Sequence, residues 1–139
     1  MIETRRVRCQ TAGNNDIVDL TREISEEIRS TGIRDGLVTV FVAGSTAAVT
    51  TVEYEPGLVH DLKAFVDELA PRNRPYMHNL TEGDANGHSH LRASLLGPSL
   101  TVPIEAGRMT LGTWQQIVLV DFDVRPRSRE LVVQVSGEP

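Results

Sequence analysis

Three histidines that lie close together in the sequence, His78, His88 and His90, are the residues with the clearest chemical potential. Zinc and related divalent ions favour imidazole ligands, and three histidines that leave a fourth position open are typical of a catalytic metal site. Residues two apart in an ideal helix point about 200° away from each other, so His88 and His90 share an ion only where the helix is interrupted. Asn86-Gly87 is a poor helix interior and permits that interruption. The spacing therefore predicts a divalent metal site, zinc or magnesium, at these histidines; the alternative is that His88 packs or caps while His90 bonds to a neighbour.

A second candidate is the segment Gly44-Ser45-Thr46-Ala47, which follows an apolar stretch. Small residues and hydroxyls at the end of a buried strand let a ligand approach backbone N–H groups closely. The glycine-lysine ending of a phosphate-binding P-loop is missing here. The segment therefore indicates either a substrate-binding turn that uses Ser45 and Thr46 or an ordinary bend whose hydroxyls are satisfied.

Arginines near the C-terminus form a third candidate, in the run Arg125-Pro126-Arg127-Ser128-Arg129. Alternate residues of an extended segment project to one side, so these guanidinium groups can hold a phosphate bidentately. The alternative is a solvated turn that pairs with neighbouring acids. Arg92 is nearer in sequence to the histidines. We therefore expect a small phosphorylated substrate to be bound by Arg92, Arg125 and Arg127.

Gln115, in the segment Gly112-Thr113-Trp114-Gln115-Gln116, is a fourth candidate. A glutamine that faces a pocket offers both a donor and an acceptor to a heterocycle or a phosphate. Its structural alternative is to close a hydrogen-bond network near Trp114. His60 is predicted to be a surface residue, and Cys9, in an edge strand, is predicted to be inert. No Ser/His/Asp or Cys/His nucleophile set can be assigned.

The first half of the chain predicts two helices and three extended segments. Residues 2–10 read as an edge strand, and Asn14-Asn15-Asp16 offers a cap for a helix that ends at Gly32. The nearly continuous β-branched run at residues 37–42 predicts a buried central strand, and residues 47–52 resume the extended pattern. A second helix is expected to begin near Pro56 and to end at Pro71.

The second half predicts a polar loop, a short helix and several strands. The loop covers residues 71–87 and the helix about 88–96, and the strands are expected at residues 100–104, 108–111, 114–123 and 131–135. Short turns between the last strands force antiparallel pairing. The pattern predicts a single α+β domain over residues 1–139, with one mixed or mainly antiparallel sheet and about three helices packed on it.

Composition limits the class of protein. The 139 residues, of which 40% are hydrophobic, fit one domain. Fourteen basic against nineteen acidic residues give a net charge of −5, which argues against a non-specific nucleic-acid binder. No apolar run reaches the roughly 20 residues of a membrane helix. One cysteine and no secretory signal predict a cytoplasmic protein without nucleic-acid or membrane partners.

Four motifs together resemble the YjbQ-like family in order and spacing, over nearly the whole chain. They are Ser45-Thr46-Ala47-Ala48-Val49-Thr50, Tyr76-Met77-His78, His90-Leu91-Arg92-Ala93-Ser94-Leu95-Leu96-Gly97 and Leu111-Gly112-Thr113-Trp114-Gln115. Members of this family are described as secondary thiamine-phosphate synthases, which join a hydroxymethylpyrimidine diphosphate to a thiazole phosphate and release pyrophosphate. The resemblance implies a compact α+β domain and a homotrimer.

The same resemblance implies that His78, His90 and Gln115 are catalytic, with Thr46 nearby. The chain departs from the family at Gly44, where many members carry a histidine, and one hypothesis is that His88 supplies the lost imidazole. Two other functions remain open from the residues alone. One is a metal-dependent hydrolase of a small phosphorylated compound, and the other is a non-catalytic trimeric ligand-binding protein.

Overall fold

The computed structural model describes all 139 residues and contains eight strands and four helices. In chain order the elements are β1 (Ile2–Thr11), β2 (Asp16–Asp19), α1 (Thr21–Thr31), β3 (Asp35–Val42), β4 (Ala47–Val52), α2 (Pro56–Leu69), α3 (Met77–Glu82), α4 (Gly87–Leu96), β5 (Ser99–Glu105), β6 (Arg108–Met109), β7 (Gln116–Asp121) and β8 (Arg127–Glu138). This is a single α+β domain, as the sequence predicts. None of the helices has the length and apolar character to cross a membrane.

The strands form two antiparallel sheets, where the sequence pattern suggested one. The larger sheet has the order β1-β8-β3-β5-β6 and the smaller has the order β2-β7-β4. The physical reason lies in β7, in which Ile117, Val118, Leu119 and Val120 are all at most 1% exposed. A strand that is apolar on both faces must be covered on both faces.

Each face of the smaller sheet lies in a different core. Ile117 and Leu119 join α1 and the larger sheet in a core of 18 buried residues. Val118 and Val120 face the other way and pack with Val66 of α2 and with Ala93 of α4 in a core of seven. The smaller sheet is therefore the middle layer, and α4 is held directly against it.

The first helix begins later than its sequence pattern suggests. Asn14-Asn15-Asp16 does not cap a helix, because Asp16–Asp19 is a strand that pairs with β7. The N-cap residue of α1 is Leu20, which makes no side-chain cap. Asp19 Oδ1, one residue earlier, accepts hydrogen bonds from the backbone N–H and the hydroxyl of Thr21 at 3.0 and 2.7 Å. The predicted end at Gly32 is confirmed, since this residue adopts the left-handed conformation with φ 74°.

Two further local predictions differ from the structure. The segment 71–87 is not only a loop, because it contains α3. Trp114 and Gln115 lie in the turn before β7 rather than in the strand itself. The second helix is confirmed: α2 begins at Pro56 and is capped by the carboxylate of Glu55, which accepts from the N–H groups of Gly57 and Leu58.

Candidate functional site

Two of the predicted histidines form a contacting pair. His78 of α3 and His90 of α4 have ring centroids 4.6 Å apart and an interplanar angle of 66°, which is an edge-to-face arrangement. His90 Nδ1 lies 3.0 Å from the carbonyl oxygen of Ser45. Because a carbonyl only accepts, Nδ1 carries the proton and Nε2 is left as an acceptor.

The second imidazole is oriented by acceptors as well. His78 Nε2 lies 3.1 Å from Asn86 Oδ1 and 4.0 Å from Asp84 Oδ2. Both partners accept, so we assign the proton to Nε2 and leave Nδ1 of His78 as an acceptor. The pair is half-buried and accessible to solvent. It therefore has the arrangement needed to take up and release protons beside Ser45.

A close approach of two helices brings the histidines together. The N–H of Gly87 donates to Asn79 Oδ1 at 2.9 Å, and this joins the start of α4 to α3. A Cβ at Gly87 would lie 2.8 Å from Cβ of Tyr76, so only glycine allows this distance. Gly87, a residue type that is unfavourable inside a helix, is therefore the point at which α3 and α4 come into contact.

A small pocket opens beside His90. It has a volume of about 220 Å³ and is lined by Gly44, Ser45, His90, Ala93, Ser94 and Pro98. Ser45 contacts His90 through its backbone carbonyl oxygen. We call this the histidine pocket. It is the place where a reacting group would meet the imidazole of His90.

A buried ion pair lies behind the turn that carries Ser45. Arg129 donates to both carboxylate oxygens of Asp121, at 2.7 and 2.9 Å, and its Nη2 also lies 2.7 Å from Thr46 Oγ1. Asp121 is 0%, Arg129 4% and Thr46 5% exposed. The Thr46 hydroxyl is therefore used inside the protein, so that Thr46 positions the turn instead of facing a ligand.

Hydrogen bonds set the charge state of this cluster. Burial alone would raise the pKa of Asp121, but the hydrogen bonds from Arg129 and Thr11 outweigh it and hold the pKa below its usual value. The Arg129 pKa is raised by the same hydrogen bond to Asp121. Arg129 Nη1 takes no part in these bonds and faces Gly44, since a Cβ there would lie 3.1 Å from it.

The C-terminal arginines do not form a common anion site, because Arg127 and Arg129 project to the same side of β8 but towards acids of the chain. Arg127 pairs with the buried Asp123, Arg129 with Asp121, and Arg125 is exposed. The prediction of one bidentate phosphate clamp made by this run is therefore not supported by the geometry. Pairing with neighbouring acids, which was the alternative, describes Arg127 and Arg129.

His88 faces a different part of the molecule. Both His88 and His90 belong to α4 without the predicted interruption, so their side chains diverge. His88, 3% exposed, lies on the same helical face as Arg92, four residues later. No three histidine, cysteine, aspartate or glutamate side chains lie close enough to hold a metal ion. The set His78, His88 and His90 therefore does not fit zinc or magnesium, and His88 does not supply a third imidazole.

A larger pocket lies on the His88 side of α4. Its volume is about 430 Å³ and its lining is Asn14, Asn15, Asp67, Pro71, Arg72, Asn73, His88 and Arg92. We call it the Arg92 pocket. Sequence reasoning missed most of these residues because they come from three separate segments. The available signal was Gly13-Asn14-Asn15, since glycine and asparagine tolerate the left-handed conformation that all three adopt.

Arg92 is held firmly in this pocket. Its Nε and Nη2 donate to the carbonyl oxygen of Ala70 at 3.0 and 2.8 Å. Its Nη1 lies 2.8 Å from Asn15 Oδ1 and 2.9 Å from Asp67 Oδ1. Arg92, expected from the sequence to bind substrate with the histidines, therefore lies on the other side of α4 from His90.

Within one protein chain, Gln115 lies far in space from the histidine pair. Its Nε2 donates to Thr51 Oγ1 at 3.2 Å and its Oε1 accepts from the N–H of Gly112 at 3.0 Å. Thr51 is near the end of β4, whereas Ser45 precedes its start. At about 3.3 Å per residue, the two ends of this strand are roughly 17 Å apart. The chain does not bring Gln115 into the histidine pocket.

We expect stability to fall between about pH 6.5 and pH 4 because of His88. Burial, together with the positive charges of Arg92 and Arg72, lowers the pKa of His88 from 6.5 to about 4. The unfolded chain binds this proton first, so the contribution is complete above pH 6.5 and is lost as the pH falls, by about 3 kcal/mol.

Urea denaturation at pH 7.5 and 4.5 measures this effect, with His88→Phe as the test and the exposed His60→Phe as the control. His88→Phe should flatten the pH dependence. It should not weaken the protein at pH 7.5, because it removes the unpartnered Nδ1 of His88. An equal loss of unfolding free energy between pH 7.5 and pH 4.5 in the wild type and in His88→Phe would contradict the prediction.

Comparison with known proteins gives a consistent result over the whole chain. The sequence model of the family described as UPF0047 protein YjbQ-like matches residues 5–138. A UPF0047 protein of Methanothermobacter thermautotrophicus is 38% identical over 138 residues, which cover 99% of this chain and 94% of that protein. One of Archaeoglobus fulgidus is 39% identical over 125 residues, covering 90% and 94%.

Solved structures agree with the fold. A YbjQ-like protein of unknown function from Sulfolobus solfataricus superimposes with a TM-score of 0.94 at 34% identity, covering 99% of both chains. A hypothetical protein from Aeropyrum pernix superimposes with a TM-score of 0.92 at 36% identity, covering 98% of this chain and 99% of that one. The two-sheet arrangement described above is thus shared with experimental structures.

Proposed function

Because the chain belongs to the UPF0047 YjbQ-like family, we propose that it is an enzyme that acts on a small phosphorylated substrate by thiamine-phosphate synthase chemistry. The observation that carries this proposal is the pair His78 and His90 beside the turn at Ser45. Imidazole is the side chain suited to proton exchange near neutral pH. The resemblance of four motifs supplies the reaction type.

The reaction is a substitution at the methylene carbon of hydroxymethylpyrimidine diphosphate. The bond between this carbon and the diphosphate oxygen breaks, and the diphosphate leaves with the electron pair. The lone pair of the thiazole nitrogen then forms the new carbon–nitrogen bond. The protein has to stabilise the departing charge and to supply a proton to it.

The histidine pocket offers both functions. One imidazole of the pair, in its protonated form, gives its proton to the departing oxygen, while hydrogen bonds to Ser45 and Asn86 keep the rings aligned. The guanidinium of Arg129 lies behind the turn, and its Nη1 faces Gly44. The charge of Arg129 is balanced by Asp121, so its contribution here is an N–H donor at the turn. No step uses a metal ion, because the histidines do not form a set that fits one.

We expect the purified protein to form thiamine phosphate from the two precursors. Hydroxymethylpyrimidine diphosphate and thiazole phosphate are incubated with the protein, and thiamine phosphate and pyrophosphate are quantified separately. Equal amounts of the two products support the synthase reaction. Release of phosphate or pyrophosphate without thiamine phosphate would instead favour hydrolysis, for which His90 Nε2 is positioned as a general base towards water. If neither thiamine phosphate nor any released phosphate or pyrophosphate is detected, the result contradicts an enzymatic role on these substrates.

The proposal also covers the assembly and the location. The same resemblance implies a homotrimer, and the single cysteine favours a reducing compartment such as the cytoplasm. Light scattering of the purified protein tests the trimer, because a chain of 15.3 kDa gives a trimer of three times that mass. A monomer at micromolar concentration would contradict this part of the proposal without affecting the chemistry of the histidine pair.

A further inference from the structure

We propose that the Arg92 pocket is a binding site for a diphosphate group, separate from the histidine pocket on the opposite side of α4. The inference goes beyond the proposed function and rests on it only for the choice of a diphosphate as the ligand. It is carried by the geometry of Asn15, Asp67, Arg72 and Arg92, which meet in one cavity.

The lining favours a small and strongly polar ligand. No hydrophobic residue lines this cavity, and its volume of about 430 Å³ is within the range of roughly 300–1,000 Å³ typical of small-molecule sites. The cavity has no apolar side chain against which an aromatic ring would be buried. An anion with several oxygen atoms matches the amide and guanidinium donors that surround it.

A carboxylate of the chain already occupies an anion position in this pocket. Asp67 Oδ1 accepts from Arg92 Nη1 at 2.9 Å and from Asn15 Nδ2 at 3.0 Å. The Asp67 side chain is 62% exposed at the end of α2, whereas that of Arg92 is 4% exposed. Asp67 is therefore free to turn towards solvent while the donors stay in place. An oxygen of a bound phosphate would then take up the position of the Asp67 carboxylate.

The donors are held before any ligand arrives. The N–H groups of Asn14 and Asn15 donate to the carbonyl oxygens of Asp123 and Asp121 at 2.7 and 2.8 Å. Gly13 makes this turn possible, since a Cβ there would lie 2.3 Å from the carbonyl oxygen of Arg125. Asn15 is consequently 6% exposed and fixed towards Arg92. Preorganised donors lower the cost of binding.

A second phosphate has a partner at the mouth of the pocket. Arg72 is exposed, and its Nη1 is 3.3 Å from Asn14 Oδ1, its one hydrogen bond within the chain. Its remaining N–H groups are open to a ligand. His88 lines the same cavity, and its Nδ1 has no hydrogen-bond partner. With Asp67 turned away, the guanidinium groups of Arg72 and Arg92 both face the cavity, so that each phosphate of a diphosphate would meet one of them.

Isothermal titration calorimetry with inorganic pyrophosphate, at constant ionic strength, tests this site. Arg72→Gln should weaken binding about 10-fold or more, because a charge-assisted hydrogen bond is lost. Asp67→Asn should strengthen binding several-fold, because the competing carboxylate is removed. The matched controls are Arg74→Gln and Asp61→Asn, which change the same charges outside the pocket and should stay within about twofold of wild type. Orthophosphate should bind about 10-fold more weakly than pyrophosphate.

The opposite results would overturn the inference. These are no binding of pyrophosphate to the wild type, equal effects of the pocket variants and their controls, or equal affinities for orthophosphate and pyrophosphate. The outcome is also distinguishable from that of the proposed function. Pyrophosphate binding with the expected variant effects, but without any thiamine phosphate formation, supports this site and contradicts the synthase. Thiamine phosphate formation together with an unchanged affinity for pyrophosphate in Arg72→Gln and Asp67→Asn contradicts this site alone.

Discussion

Replacing His90 by glutamine is expected to lower kcat for thiamine phosphate formation by about 10²–10⁴-fold, because a positioned imidazole contributes that much by general acid–base catalysis. Glutamine keeps a donor for the carbonyl oxygen of Ser45, to which His90 Nδ1 donates at 3.0 Å. It cannot exchange a proton near neutral pH. The loss should therefore appear in kcat and not in KM, and the melting temperature should change little, since His90 is only partly buried.

The pair should act as a unit. His78→Gln is expected to lower kcat strongly as well, and the double variant should lose no more than a few-fold beyond the worse single variant, because residues of one catalytic group are not additive. His60→Gln, at an exposed position of α2, is the control and should keep wild-type activity. Activity in His78→Gln and His90→Gln equal to that of His60→Gln would show that the histidine pair has no catalytic role.

Asp121→Asn is expected to lower the free energy of unfolding by about 3–5 kcal/mol, because it leaves Arg129 charged and buried without its partner. Arg129 makes two hydrogen bonds to this carboxylate, and both side chains are at most 4% exposed. Urea denaturation at pH 7 measures the change. Glu130→Gln is the matched control, since Glu130 pairs with Arg6 on the exposed face of β8 and such pairs contribute at most about 1 kcal/mol.

The same variant should change the response to acid. In the wild type the hydrogen bonds hold the pKa of Asp121 below its usual value despite burial. A carboxyl group with a lowered pKa in the folded state stabilises the fold above its unfolded pKa of about 3.9, and this contribution is lost as the pH falls through the lower folded pKa. Below pH 4 the Asp121→Asn protein should therefore lose less stability than the wild type.

A double variant separates fold from function. Replacing Asp121 by leucine and Arg129 by methionine removes both charges together, and this is expected to recover most of the lost stability. It also removes the hydrogen bond from Arg129 to Thr46, which anchors the turn that carries Ser45. The double variant should consequently be a stable protein with low activity. Full activity in this variant would show that the buried ion pair does not position the turn.

Local sequence patterns were sufficient for the elements whose signals come from neighbouring residues. The proline at the start of α2, the glycine after α1 and the apolar run of β3 each act within a few residues, so their effects can be read from the chain. The apolar run at 117–120 indicated a strand but not what covers it. Because the covering groups come from α2, α4 and the larger sheet, the second sheet could not be foreseen.

The candidate site, too, was predictable only where its residues belong to short local segments. Residue types and motif order identified His78 and His90 and the turn at Ser45, because these depend on short segments and their sequence. Which side of α4 each residue faces was settled by packing: the continuous helix turns His88 and Arg92 away from His90. Helical geometry fixes the angle between these residues locally. Which face of α4 turns towards the middle sheet is set by the burial of apolar side chains, and this depends on contacts between segments distant in the chain.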